Sequence, residues 1–209
     1  MNELLLDSFI LLFVVVDPIG LAPLFAALTQ DATPLQRRRI AVRGVLIAGG
    51  ILLVFVILGD ALLRALGIGL AAFQIAGGVL LFLLAVDMLF ARHSGLRSTT
   101  EREQKEAERK KDISVFPLAI PLIAGPGALT TVLLMVGEQG DNSVIVGAAL
   151  AVVVLVLAVT LVSLLFAARV MRVIGETGAN VVSRVFGVVL AALAAQYILD
   201  GLRAGLPAF

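Results

Sequence analysis

The chain has 209 residues, of which 60% are hydrophobic and 15% charged, with a mean hydropathy of +1.09 and a net charge of +1. A soluble domain of this size could not hide that much apolar surface, so the composition selects an integral membrane protein. The net charge says nothing about nucleic acid, but no basic groove or aromatic platform for it is present, and the absence of cysteine excludes disulfides, thiolate chemistry and Cys-based metal sites.

Six apolar runs are long enough to cross a hydrocarbon core of roughly 30 Å. In chain order they are Leu4–Leu28, Ile40–Leu63, Gly69–Phe90, Phe116–Val136, Ser143–Ala168 and Val185–Leu202. The chain starts with the acidic Met1-Asn2-Glu3 and lacks a basic n-region, so the first run is expected to be a retained span rather than a cleaved signal. The first run is interrupted by Asp17-Pro18-Ile19-Gly20 and again by Pro23. The second and third runs contain no proline, and their Gly49-Gly50 and Gly77-Gly78 pairs read as close-packing positions. A polar stretch, Arg92–Asp112, follows; it is dense in Glu, Arg and Lys and holds the lone histidine, His93. It reads as a solvated cytoplasmic linker dividing the chain into residues 1–91 and 113–209, three spans each.

The fourth run is interrupted by Pro117, Pro121 and Gly125-Pro126-Gly127, and the last two runs are again free of proline. Each interruption leaves backbone N–H and C=O groups without helical partners at membrane depth. Lipid cannot satisfy them, so this backbone must be buried in protein or line a cavity. A proline kink that serves only packing is the bland reading of one interruption; a matched pair points to a transporter binding site.

Charge sets the expected orientation. Arg37, Arg38, Arg39 and Arg43, the basic residues of the linker, and Arg169, Arg172 and Arg184 all fall on one side, leaving only Arg64 and Arg203 on the other. Six spans with this bias put both termini outside the cytoplasm. The halves also repeat: Asp17-Pro18-Ile19-Gly20 lies 108 residues before Gly125-Pro126-Gly127-Ala128, and Leu63-Arg64-Ala65-Leu66-Gly67 lies 108 before Met171-Arg172-Val173-Ile174-Gly175. Three spans per half is an odd number, so the second half enters from the opposite side. The expected fold is therefore all-α, with six transmembrane helices arranged as two inverted-topology three-helix repeats and helices 1 and 4 discontinuous.

The breaks carry the candidate chemistry. Aspartate is a good N-cap and proline is tolerated at the next position, so a second half-helix is expected to start near Asp17, and another near Gly125. Two such N-termini, meeting near the midplane from opposite sides, favour an anion such as a carboxylate. Gly20, Gly125 and Gly127 leave the backbone unshielded for close approach. Asp17 is the one acidic residue deep in a span. It reads either as a ligand for a substrate ammonium or a coupling H⁺ or Na⁺, or as a structural N-cap. Thr130 and Thr131 follow the second break, with hydroxyls that face ligand or bond a preceding carbonyl. Gln196 lies near the middle of the sixth span, as a cavity-lining or helix–helix residue. The candidate substrate set is thus Asp17, Pro18, Ile19, Gly20, Gly125, Pro126, Gly127, Ala128, Thr130, Thr131 and Gln196. No HExxH pair or Gly-x-Ser nucleophile site is present, which argues against an enzyme. A channel or a scaffold is the competing class.

These residues carry a resemblance. Asp17-Pro18-Ile19-Gly20, Gln74-Ile75-Ala76-Gly77-Gly78, Pro117-Leu118-Ala119-Ile120-Pro121-x-x-Ala124-Gly125-Pro126-Gly127 and Ser183-Arg184-x-x-Gly187 stand in order along the chain. The chain thereby resembles the MarC family of six-span integral membrane proteins, which includes SnatA-type small neutral amino-acid transporters. The resemblance implies transport of glycine- or alanine-sized amino acids across the cytoplasmic (inner) membrane, with the two breaks forming the site and no resident cofactor or metal. The bilayer and a small-molecule substrate are the expected partners, and a homo-oligomer is compatible with the sequence.

Overall fold

The computed structural model describes residues 2–90, 113–137 and 143–205, and the expected linker at 92–112 lies outside them. Every element among the described residues is helical: α1 (Asn2–Val16), α2 (Pro18–Leu28), α3 (Pro34–Ala65), α4 (Leu70–Phe90), α5 (Ser114–Ile123), α6 (Pro126–Gly137), α7 (Ser143–Leu165) and α8 (Ala167–Gly205). Five segments are long and apolar enough to span a bilayer: Leu6–Leu28, Pro34–Gly59, Leu70–Phe90, Ser143–Leu165 and Thr177–Gly205. A sixth is the pair α5 and α6, which meet at 54°. Large apolar side chains such as Leu46 and Ile57 on α3, Val154 and Val162 on α7, and Val185 and Val188 on α8 are exposed, as lipid-facing positions require.

Local chemistry explains the helix ends. Thr33 starts α3 with a reciprocal cap: Gln36 N donates to Thr33 Oγ1 at 3.3 Å, and Thr33 N donates to Gln36 Oε1 at 2.8 Å. Arg37 reaches back to the end of α2, donating through Nε to Thr29 O and through Nη2 to Gln30 O, both at 2.9 Å. Carbonyls that the helix end would leave without partners are thus satisfied. Gly67 (φ 67°) and Gly175 (φ 70°) both occupy the left-handed region, where a Cβ is costly. Gly67 ends the turn after α3. Gly175 breaks α8, so the stretch expected as a connection before the sixth span is helical on both sides of that residue.

The upstream part of the fourth span departs from expectation. It is not an α-helical half: α5 is wound more widely, with Leu118 N bonded to Ile113 O and Ala124 N to Ala119 O, five residues back in each case. Phe116 (φ −131°, ψ 124°) and Ile120 (φ −128°, ψ 127°) are extended, and the Phe116–Pro117 and Ile120–Pro121 peptides are cis. The reason is chemical: a proline ring clashes with the α conformation of the residue before it and brings no N–H. Two prolines four residues apart therefore impose this twice. α5 packs on α3, where a Cβ on Gly44 would strike Leu118.

The most extensive helix contact joins α4 and α8. Three glycines allow it. A Cβ added to Gly78 would lie 2.8 Å from Ala194 O, one on Gly187 3.0 Å from Ala85 O, and one on Gly201 2.8 Å from Ala71 O. The rungs Ala71–Gly201, Gly78–Ala194 and Ala85–Gly187 step along both helices at seven-residue intervals, each placing a glycine against an alanine carbonyl. Small residues at such spacing let membrane helices approach backbone to backbone. α6 sits inside the bundle against α1, α3 and α4: Gly59 leaves room for Leu133, and Gly77 leaves room for the Thr130 methyl group.

Candidate functional site

The first interruption is built around one residue. Asp17 is fully buried, at the middle of the Leu6–Leu28 span, and separates α1 from α2. Its backbone is left-handed (φ 46°, ψ 68°), a conformation that aspartate tolerates better than most residues. The helical ladder still passes through it, with Asp17 N bonded to Phe13 O at 2.8 Å and Leu21 N to Asp17 O at 2.9 Å. Pro18 follows at the first helical position, and Pro23 lacks the N–H that would have reached the Ile19 carbonyl.

The carboxylate is held from two sides. Gly20 N donates to Oδ1 at 2.9 Å, which is the N-cap bond expected for α2. The Ser183 hydroxyl of α8 donates to Oδ2 at 2.6 Å. Gly20 is required here, because a Cβ at that position would run into Asp17 Oδ2 and Ser183 Oγ. One residue along, the Ser163 hydroxyl of α7 donates to the Pro18 carbonyl at 2.6 Å. Both serines come from the second half of the chain.

The second interruption has a different construction. Ala124 (φ −95°, ψ 53°) and Gly125 separate α5 from α6, and a Cβ on Gly125 would strike the Pro121 carbonyl. Gly127, the second residue of α6, faces α1 and α4: its Cβ position lies 3.1 Å from Val15 Cγ1 and 2.8 Å from Leu84 Cδ2. Gly127 thus packs against Val15, two residues before Asp17 in the chain. Thr131 is fully buried on α6, with an Oγ1 that finds no hydrogen-bond partner among the described residues.

Of the candidates from sequence, Asp17, Pro18, Gly125, Gly127, Ala128, Thr130 and Thr131 are buried, and Ile19 and Gly20 are half-buried. Pro126 is exposed. Gln196 is not brought to the breaks. It is exposed on α8, and its amide donates to Asp200 Oδ1 and Oδ2 at 2.9 and 3.0 Å, while Asp200 also lies 3.5 Å from Arg203. The buried face of α8 carries Ala179, Gly187, Leu190, Ala194 and Gly201, and two residues beyond Ala194 is roughly 200° around the helix. Ser163 and Ser183 are not among the candidates from sequence. Ser183 lies in one of the stretches that carry the family resemblance, whereas Ser163 had no sequence signal beyond being a hydroxyl in an apolar run.

Comparison with known proteins follows the same outline. The model for "MarC family integral membrane protein" matches residues 2–206. The chain is 35% identical over 199 residues to a UPF0056 membrane protein of Archaeoglobus fulgidus, covering 93% of this chain and 90% of that one. It is 36% identical over 211 residues to the UPF0056 membrane protein YvbG of Bacillus subtilis, covering 99% and 98%. It is 35% identical over 203 residues to the UPF0056 inner membrane protein YhgN of Escherichia coli K12, covering 97% and 98%. No solved structure matches the chain.

Proposed function

We propose, from the premise that this chain belongs to the MarC family of integral membrane proteins, that it is a secondary transporter of small neutral amino acids rather than an enzyme. Its substrate, of glycine or alanine size, binds near the middle of the bilayer between the breaks at Asp17 and Gly125. The observation that carries the reading is the Asp17 carboxylate, fully buried mid-span at the head of α2. An ionisable group at that depth is costly and marks a substrate or ion path. Asp17 supplies the seat for an ammonium group or for a coupling H⁺ or Na⁺. The α6 N-terminus and the Thr131 hydroxyl, unpartnered among the described residues, offer donors for a carboxylate. Glycines beside both breaks restrict the side chain.

The architecture is two inverted three-span repeats, with spans one and four discontinuous and both termini outside the cytoplasm. Left-handed Gly67 and Gly175, separated by 108 residues, support the repeat, as does the equal spacing of Asp17-Pro18 and Gly125-Pro126. The basic clusters support the orientation. The membrane is the cytoplasmic one, as the name of the Escherichia coli relative says of that protein.

The test is uptake of labelled glycine and alanine into proteoliposomes, with and without proton and sodium gradients. Saturable flux, competed by unlabelled glycine and driven by one gradient, is expected. Flux that never saturates would favour a channel, and no flux of any amino acid would sink the proposal.

A further inference from the structure

Asp17 is closed off in this structure. Its side chain has no exposed surface; Oδ1 accepts from Gly20 N and Oδ2 from the Ser183 hydroxyl, 166 residues away on α8. The space around Oδ2 is tight, since one added methyl on Gly20 would strike both that oxygen and Ser183 Oγ. With Asp17 fully buried, a cation reaches Oδ2 only after a neighbouring contact moves, and the Ser183 hydroxyl is a contact made from another helix.

We infer that Ser183 is an exchangeable closing contact: its hydroxyl occupies the place on Asp17 Oδ2 that a substrate ammonium or a coupling cation takes once α8 withdraws from α2. The occupant rests on the transport reading above; the displaceable contact does not. Ser183 is in this sense a positioning residue, acting through Asp17. The chemistry of the exchange is conservative. A hydroxyl donates one hydrogen bond to the carboxylate, and an ammonium donates one in its place, so the oxygen is never left without a partner. Ser163 has the complementary task. Its bond goes to the Pro18 carbonyl rather than to the carboxylate, so it anchors the break to α7 whichever group holds Oδ2. The half-buried Ser183, on the first turns of the Thr177–Gly205 span, follows the left-handed Gly175, where the helix path is already interrupted.

A hydrogen bond to a charged acceptor shifts a two-state equilibrium by roughly tenfold or more. The full chain has no cysteine, so Ala179→Cys adds a single thiol. Ala179 is 1% exposed and lies one turn before Ser183 on α8. Reaction of that thiol with a membrane-permeant maleimide reads separation of α8 without any substrate. Adding Ser183→Ala should speed the reaction about tenfold, while Ser183→Thr, which keeps the hydroxyl, leaves it unchanged. Asp17→Asn, which weakens the same bond from its other end, should also speed it. Glycine and alanine should bind Ser183→Ala about tenfold more tightly than the native chain, and Ser183→Thr as the native chain does. An unchanged thiol rate in Ser183→Ala, or equal acceleration in Ser183→Thr, overturns the inference. Failure of the transport reading registers separately, as no amino-acid binding by the native chain or either variant while the acceleration persists.

Discussion

Replacing Asp17 by asparagine separates the charge of that residue from its shape. Asparagine keeps an acceptor for Gly20 N and places an amide where Oδ2 stood, and the Ser183 hydroxyl can turn to accept from it. Two hydrogen bonds to a charged acceptor become two neutral ones. At about 1.5–3 kcal/mol for the charged kind and about 0.5–1.5 for the neutral kind, the loss is on the order of 2–3 kcal/mol. Against it stands relief from holding an aspartate at the centre of a span, about 2.5–3.5 kcal/mol on insertion scales. The two nearly cancel, so the thermal midpoint in detergent should stay within about 4 °C of the native protein. Asp17→Ala gains the same relief, but it loses both hydrogen bonds outright and places alanine in the left-handed region, at about 1–2 kcal/mol, so it should melt below Asp17→Asn. Transport should respond differently. If the charge recruits the ammonium or coupling ion, Asp17→Asn should lose at least tenfold in gradient-driven uptake while folding almost as well as the native chain. Proteoliposome uptake and a thermal melt on one preparation give both numbers. Native-level driven uptake in Asp17→Asn, or a midpoint lowered as far as in Asp17→Ala, would show that Asp17 is only a cap.

Two further substitutions probe the packing. Gly20→Ala puts a methyl group against the Asp17 carboxylate and Ser183 Oγ, and should cost about 1–3 kcal/mol together with most of the uptake; a native melting curve would show that the break relaxes freely. Gly78→Ala presses on the Ala194 carbonyl at 2.8 Å and should destabilise by about 1–3 kcal/mol, whereas Gly50→Ala, with nothing within 4 Å on an exposed face of α3, should be neutral or stabilise by about 0.5–1 kcal/mol. Equal effects at the two glycines in a thermal melt would refute the close packing of α4 on α8.

The legible and illegible parts of this protein divide along physical lines. A bilayer core demands some twenty apolar residues per crossing, so the spans stand out as runs whatever they pack against. Helix starts are local as well, because capping chemistry is local: α2 begins at Pro18 and α6 at Pro126. The wide winding of α5 has a local signal too, in Pro117 and Pro121, each restricting the residue before it, which rules out a regular half-helix there. Facing was not legible. In water, an apolar stripe reveals the buried side of a helix; in lipid, both sides are apolar and the stripe disappears. The sequence therefore does not show that Gln196 lies on the outer side of α8, or that Ser183 meets Asp17. A hydroxyl carries no mark of a partner 166 residues away.

That separation has a consequence for the order of assembly. The span holding Asp17 is synthesised before the two serines that grip its break, Ser163 and Ser183, which lie on later spans. Until they arrive, the first span carries an aspartate and a proline-interrupted ladder without those two hydroxyls. The break thus enters the membrane unfinished, and residues of later spans complete it.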